Sequence, residues 1–263
     1  MLLFVGLGMN SKGISIQGLE EARSADVVYA EFYTSIIPGF EIEKMEESIS
    51  KPIRVLDREA VEVSPDEILK KSETKKVVFL VPGDPMVATT HVDLRLRAGK
   101  RGIETRIIHG ASIETAGPGL AGLQSYKFGK TATLPLPEKR SITPYDVLED
   151  NKKQGLHTLF LLDIEKEEER YLTADRAIEY LLDLEEELER KVYTGDTLSV
   201  VVARAGSEDP LVKADRCGNL IGRGFGRPPH ILIVPGKLHF LEAEALEYFA
   251  DAPKEVVEEY VKE

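Results

Sequence analysis

VVFLVPGDPMV, residues 77–87, runs five apolar residues straight into a turn of two prolines, a glycine and an aspartate. An apolar run of that length without alternation is a strand buried on both faces, as in a parallel sheet covered by helices. Pro82 and Pro85 restrict the backbone and Gly83 frees it, so the chain turns stiffly at the strand's carboxyl end. Ligands of open α/β sheets sit at that end. Asp84 is either held out into a ligand crevice by this rigid backbone or caps the helix that follows.

The same pattern extends outward in both directions. Short apolar runs bounded by Gly, Pro or Asp predict strands at 2–5, 26–30, 54–56, 105–109, 132–135, 158–163, 198–203 and 230–234. Between them lie helical spacings. Ile42, Met45 and Ile49 share one face, and Ala177, Leu181, Leu184 and Leu188 mark another in a helix opened by Thr173. Ser64-Pro65-Asp66-Glu67 reads as a capped start, with Glu67 completing a capping box. The DLEEELERK tail at 183–191 reads as a solvated face, and 238–249 and 252–262 as two closing helices. Strand–helix alternation predicts an α/β protein with mostly parallel sheets. The small-residue segment GASIETAGPGLAGL at 110–123 marks a boundary between an N-terminal α/β domain at 1–110 and a C-terminal one at 115–263.

Composition narrows the function. The 263 residues carry 34 Lys+Arg against 46 Asp+Glu, a net charge of −12, which disfavours a nucleic-acid binder dependent on phosphate neutralisation. A single cysteine, Cys217, excludes an internal disulfide and multi-cysteine metal sites, and points to a reducing, cytoplasmic compartment. The apolar runs are too short to span a bilayer, and MLLFVGLG at the start reads as a strand rather than a leader.

Familiar motifs are incomplete. Gly6-Leu7-Gly8 follows the first strand, but Ser11 stands where a dinucleotide fingerprint needs its third glycine. That leaves either a tight turn or a loop allowing close ligand approach. Gly117-Pro118-Gly119-Leu120-Ala121-Gly122 fits the spacing but does not follow a strand, and Pro118 has no N–H to offer a phosphate, so helix packing explains it better. Gly236-Lys237 lacks the rest of a phosphate loop. The five histidines show no metal-ligand spacing, and no nucleophile elbow is present. Ala203-Arg204-Ala205-Gly206-Ser207 and the proline-wrapped strand at 228–237 repeat the rigid strand-end pattern of 81–87.

These segments bear a resemblance that spans the chain. FVGLGM at 4–9 and VPGDPMVATTH at 81–91 resemble the tetrapyrrole-methylase-like superfamily of S-adenosylmethionine-dependent methyltransferases. YAEFYTS at 29–35, GLHTLFLLDI at 155–164, VVVARAGS at 200–207 and PPHILIVPGKLHFLEAE at 228–244 resemble the archaeal diphthine synthase family within it. The resemblance implies two α/β domains with a cofactor cleft between them, a fold that is not Rossmann-like, and a homodimer. It implies S-adenosylmethionine as donor, S-adenosylhomocysteine as product and no metal. Cofactor contacts carry onto Met9, Asp84, Val87, Ser112, Ile113, Leu162, Ala205 and His230. The implied reaction methylates, three times, the amino group of a 3-amino-3-carboxypropyl-histidine on elongation factor 2, in diphthamide biosynthesis.

Methyl transfer from a sulfonium needs no metal and no covalent enzyme intermediate, which suits the absence of such motifs. The attacking amine must lose a proton first, and no residue is assigned as the base. Arg204 and Lys237 either engage the substrate carboxylate or an acidic partner surface, or are spent on surface and internal pairing. A tetrapyrrole methyltransferase is the nearest alternative. A ribosomal-RNA methylase and a non-catalytic cofactor-binding scaffold are more distant ones.

Overall fold

The computed structural model describes residues 1–261, without the side chain of Glu167. The chain divides into two compact units, Met1–Ile113 and Glu114–Glu263.

Unit 1 runs β1 (Leu2–Gly6), α1 (Ile16–Ser24), β2 (Val27–Glu31), α2 (Ile42–Ile49), β3 (Ile53–Leu56), α3 (Asp66–Thr74), β4 (Val77–Val81), α4 (His91–Lys100) and β5 (Thr105–Ile108). Its five strands lie in the order β3-β2-β4-β1-β5, and every pairing is parallel. Alternate side chains go to opposite faces. Leu2, Phe4, Val77, Phe79 and Val81 pack with Ile68 and Leu69 of α3 and Leu94 and Ala98 of α4. Leu3, Val5, Val78 and Leu80 pack with Ala22 of α1 and Met45 and Ile49 of α2. Both faces being covered is why these strands read as unbroken apolar runs.

The strand order also locates a switch point. From β1 the chain crosses β4 to reach β2, whereas from β4 it crosses β1 in the opposite direction to reach β5. Right-handed crossovers in opposite directions put α1 and α4 on opposite faces, as the two clusters record. In open α/β sheets ligands sit beyond the carboxyl ends of the strands at such a point, here those of β1 and β4.

Unit 2 continues with α5 (Ile113–Ala121, its first residue the last of unit 1), β6 (Ala132–Leu134), α6 (Thr143–Lys153), β7 (Thr158–Leu162), the hairpin β8 (Ile164–Glu165) and β9 (Arg170–Tyr171), and α7 (Ala174–Leu188). Then come β10 (Leu198–Ala203), β11 (Leu211–Arg216), α8 (Cys217–Leu220), β12 (His230–Val234), α9 (Phe240–Ala250) and α10 (Lys254–Glu258). Its main sheet has the order β11-β10-β12-β7-β6, in which only β6–β7 is parallel. The expectation of mostly parallel sheets is thus corrected for this unit. Its central strands are buried throughout, and apolar runs look alike whichever way the neighbours point. Strand β11, LVKADR, was not foreseen because Lys213, Asp215 and Arg216 break its apolar run, although Ala214 and Asp215 are buried.

Three local readings also change. Ser64 does not cap α3: no side chain caps that helix. Glu67 instead accepts the Tyr29 hydroxyl at 2.9 Å and pairs with Arg54. In the acidic tail of α7, Glu185 is not simply solvated. It accepts the amides of Lys191, Val192 and Tyr193 and the Tyr145 hydroxyl at 2.6–2.7 Å. Burial pushes its pKa up, but those donors win and hold it below the usual carboxylate range. The last helix covers Lys254–Glu258 of the expected 252–262, and residue 262 lies outside the described residues.

The mark PPHILIVPGKLHFLEAE has a structural core in Glu242, which is fully buried. One carboxylate oxygen accepts Gln124 N–H at 2.8 Å and His157 Nε2–H at 3.0 Å. The other accepts His239 N–H at 2.8 Å, closing a capping box on α9, and pairs with Lys127. His157 Nδ1 is committed too, accepting Gly236 N–H at 2.9 Å. Burial alone would raise the Glu242 pKa, yet these donors bring it down to about 2. A depressed carboxylate stabilises the fold fully above its unfolded value near 4.5 and loses that contribution as pH falls through about 2. Glu242→Gln is therefore expected to lower unfolding free energy by about 3 kcal/mol at neutral pH. The gap to wild type should narrow in urea titrations repeated near pH 3, roughly within the window between the two pKa values; a constant gap would contradict this account.

Candidate active site

Where β1, β4 and β5 end, their loops come too close for side chains. A Cβ on Gly6 would lie 2.5 Å from the Gly83 carbonyl oxygen and 2.6 Å from the Gly110 nitrogen. Gly8 and Gly83 both take φ of +68° and exchange backbone hydrogen bonds of 3.1 and 2.8 Å. The first loop is thereby hydrogen-bonded to the second. A glycine at each position is what such geometry requires.

Asp84 joins the third loop. It is 6% exposed. One oxygen accepts Met86 N–H at 2.9 Å, within its own turn. The other accepts His109 Nδ1–H at 2.7 Å and Gly110 N–H at 3.2 Å. Asp84 thus neither caps α4 nor stands free: it ties the end of β4 to the end of β5. Of the residues marked for the cofactor, Met9, Asp84, Val87, Ser112 and Ile113 all lie on these three connected segments. Met9, Val87 and Ile113 are half-buried, while Ser112 is buried.

His91, Tyr33 and Glu31 lie behind the Asp84 loop. His91 Nδ1 lies 3.1 Å from the Pro85 carbonyl, which can only accept, so the ring donates from Nδ1. Its Nε2 then accepts the Tyr33 hydroxyl at 3.4 Å. Burial lowers the His91 pKa and keeps the ring neutral. Beside it the buried Glu31 accepts the amides of Tyr33 and Thr34 at 2.9 and 3.0 Å. The YAEFYTS mark therefore builds a rigid wall behind the turn. These roles went unread in the sequence, since nothing in the spacing of Glu31, His91 and Pro85 connects them.

In unit 2, Leu162 ends β7, Ala205 follows β10 and His230 begins β12. Because β12 is antiparallel to both neighbours, its first residue lies beside their last ones. His230 pairs with Ala203, and Ile231 with Leu161. Leu162, Ala205 and His230 therefore meet along one end of this sheet, and all three are buried. His230 Nδ1 accepts Ala174 N–H at the start of α7, and Nε2–H donates to the Arg227 carbonyl, both at 3.2 Å. Burial pushes its pKa down. Arg204, at φ of +51°, donates to the carbonyls of Phe225, Asp209 and Arg227 at 2.8–3.4 Å. Its guanidinium is spent on holding loops, so the internal-pairing alternative describes it. A cavity of about 350 Å³ is lined by Lys130, Thr133, Ser141, Thr143 and Asp163 among others.

Among the described residues no group of three or more His, Cys, Asp or Glu side chains could hold a metal, and no helix is long and apolar enough to cross a membrane. Carbonyl-rich glycine loops flanked by half-buried Met9 and Val87 suit a soft, positively charged sulfur and a close-packed adenosyl group, so the residues present fit an S-adenosylmethionine site.

Comparison with known proteins agrees with the architecture. Residues 1–220 match the family Tetrapyrrole (Corrin/Porphyrin) Methylases. The chain is 55% identical to the diphthine synthase of Methanocella arvoryzae over 95% of this chain and 98% of that one. It is 52% identical to that of Methanosarcina acetivorans over 98% and 99%. A crystal structure of a diphthine synthase superposes with a TM-score of 0.90 at 44% identity, covering 98% of both chains. Taken with the strand-end junction, these likenesses mean that the chain belongs to the tetrapyrrole methylase family of methyltransferases and, within it, to the diphthine synthases.

Proposed function

We propose that this protein is the S-adenosylmethionine-dependent methyltransferase of diphthamide biosynthesis, acting on the amino nitrogen of a 3-amino-3-carboxypropyl-histidine of elongation factor 2. The observation that carries the reading is 55% identity to a diphthine synthase over nearly the full length of both chains. A tetrapyrrole methyltransferase would share the cofactor loops, but the likeness to diphthine synthases extends through the 228–244 segment and beyond it. Three successive transfers, cytoplasmic location and a homodimer belong to the same reading. Exposed Phe240, Leu241, Tyr248 and Phe249 on α9 support a self-association surface.

The bound donor supplies a methyl carbon already activated by sulfonium charge. The contacts proposed for it are Met9, Asp84, Val87, Ser112 and Ile113 in unit 1, and Leu162, Ala205 and His230 in unit 2. The chain's contribution is alignment and exclusion of water, worth about 7–11 kcal/mol where reactants are well oriented. Backbone carbonyls and apolar side chains tolerate the loss of positive charge as the reaction proceeds, whereas a tight counter-ion would favour the ground state. Asp84, its oxygens committed to Met86, His109 and Gly110, acts by fixing the loops that form the site.

Incubation with methyl-labelled donor and either aminocarboxypropylated elongation factor 2 or uroporphyrinogen tests the substrate. Label is expected on the protein; label on the macrocycle alone would overturn the reading. Asp84→Ala leaves two amides and an imidazole without their acceptor. Calorimetric affinity for the donor is expected to fall about ten-fold or more, with loss of protein methylation. Unchanged affinity would remove Asp84 from the site.

A further inference from the structure

The reaction proposed above needs a proton acceptor, because an alkyl ammonium has no lone pair with which to attack. The chain has five histidines, and their hydrogen bonds sort them. His91 and His157 are fully buried with both ring nitrogens engaged. His230 is buried with both nitrogens engaged. His239 uses its Nδ1 lone pair to accept Leu241 N–H, which leaves its proton on Nε2. His109 differs from all of these. Its side chain is 71% exposed, its Nδ1–H donates to the buried carboxylate of Asp84 at 2.7 Å, and its Nε2 has no hydrogen-bond partner among the described residues. It also lies at the end of β5, on the connected strand ends where the donor is placed.

From this geometry we infer that His109 is the general base of the methyl transfer and that Asp84 is its positioning residue. The inference rests on the proposed function. Asp84 holds the proton on Nδ1 and directs the Nε2 lone pair outward, which is the division of labour a carboxylate–imidazole pair performs in general-base catalysis. Nε2 takes one proton from the substrate ammonium, leaving a neutral amine and an imidazolium. The amine lone pair then forms the N–C bond as the methyl carbon–sulfur bond breaks, its electron pair remaining on sulfur. The product is again an ammonium, so each further transfer repeats the deprotonation until no N–H remains. An exposed ring can return its proton to water between rounds, which a buried one cannot. The same carboxylate also receives Gly110 N–H, so one group fixes both the donor loops and the base.

His109→Asn tests this directly, because the Asn amide places an N–H near the position of Nδ1 and can keep the bond to Asp84, while the Nε2 lone pair is gone. Turnover on elongation factor 2 is expected to fall about 10²-fold or more, with calorimetric donor affinity within about three-fold of wild type. Nitrogen-15 spectra of the wild-type imidazoles, each ring assigned by correlation with its own backbone amide, should show His109 as the Nδ1–H tautomer. Turnover within a few-fold of wild type would overturn the assignment. So would a parallel loss of donor binding, which would make His109 structural, or an Nε2–H tautomer, which is read on the wild type whether or not the variant folds. A wild-type chain unable to methylate elongation factor 2 would remove the function and the base together; an active wild type with an active His109→Asn would remove the base alone.

Discussion

Parallel strands run side by side at a spacing of about 4.8 Å, and in unit 1 that spacing persists after β1, β4 and β5 have ended. The loops leaving them have no room to spread, which is why glycines stand at positions 6 and 110, where a methyl group would collide with the Gly83 carbonyl. Crowded backbone still has to satisfy its polar groups. Gly8 and Gly83 do so mutually, and Asp84 takes the amides of Met86 and Gly110. The switch point of the sheet becomes a surface of backbone atoms with little side-chain cover, on which a ligand can approach closely and one imidazole is held at a defined angle.

Saturated carboxylates recur as the means of fixing turns in both units. Glu31 closes the turn after β2, Glu185 the turn after α7, and Glu242 the start of α9. Burying a carboxylate is costly unless donors surround it. Among the described residues no buried side-chain nitrogen or oxygen is left without a partner. Arg204 is the cationic counterpart, collecting carbonyls from the loop before β12. Asp84 uses the same device, but one of its donors is an exposed ring with a lone pair to spare. The difference between a structural clamp and a catalytic one here is a matter of what the third donor is.

Much of this was legible in the letters. The strands of unit 1 are apolar on both faces, so VVFLV and LLFV could hardly be anything else, and the prolines of 81–87 mark the turn that matters. The direction of the strands in unit 2 was not legible, because burial on both sides erases the distinction between parallel and antiparallel neighbours. β11 escaped notice because Lys213, Asp215 and Arg216 interrupt its apolar run. Ser64 looked like a cap and Glu185 like a solvated charge, since each was judged by its nearest neighbours in sequence, while their actual surroundings come from turns and strands folded back upon them. The pairing of Asp84 with His109 spans 25 positions and is set by the order of strands in the sheet, which no local pattern encodes. His109 could have been found only by asking which polar residue ends the strand beside β1.

The claim on which the account rests is that the strand ends of unit 1 receive the sulfonium donor. Amide chemical-shift mapping during titration with S-adenosylhomocysteine reads this most directly. The account predicts that the largest shifts fall on Gly8, Met9, the 83–87 turn and 110–113, accompanied by Leu162, Ala205 and His230. Saturable binding that leaves the amides of Gly8, Gly83 and Gly110 unmoved would contradict it.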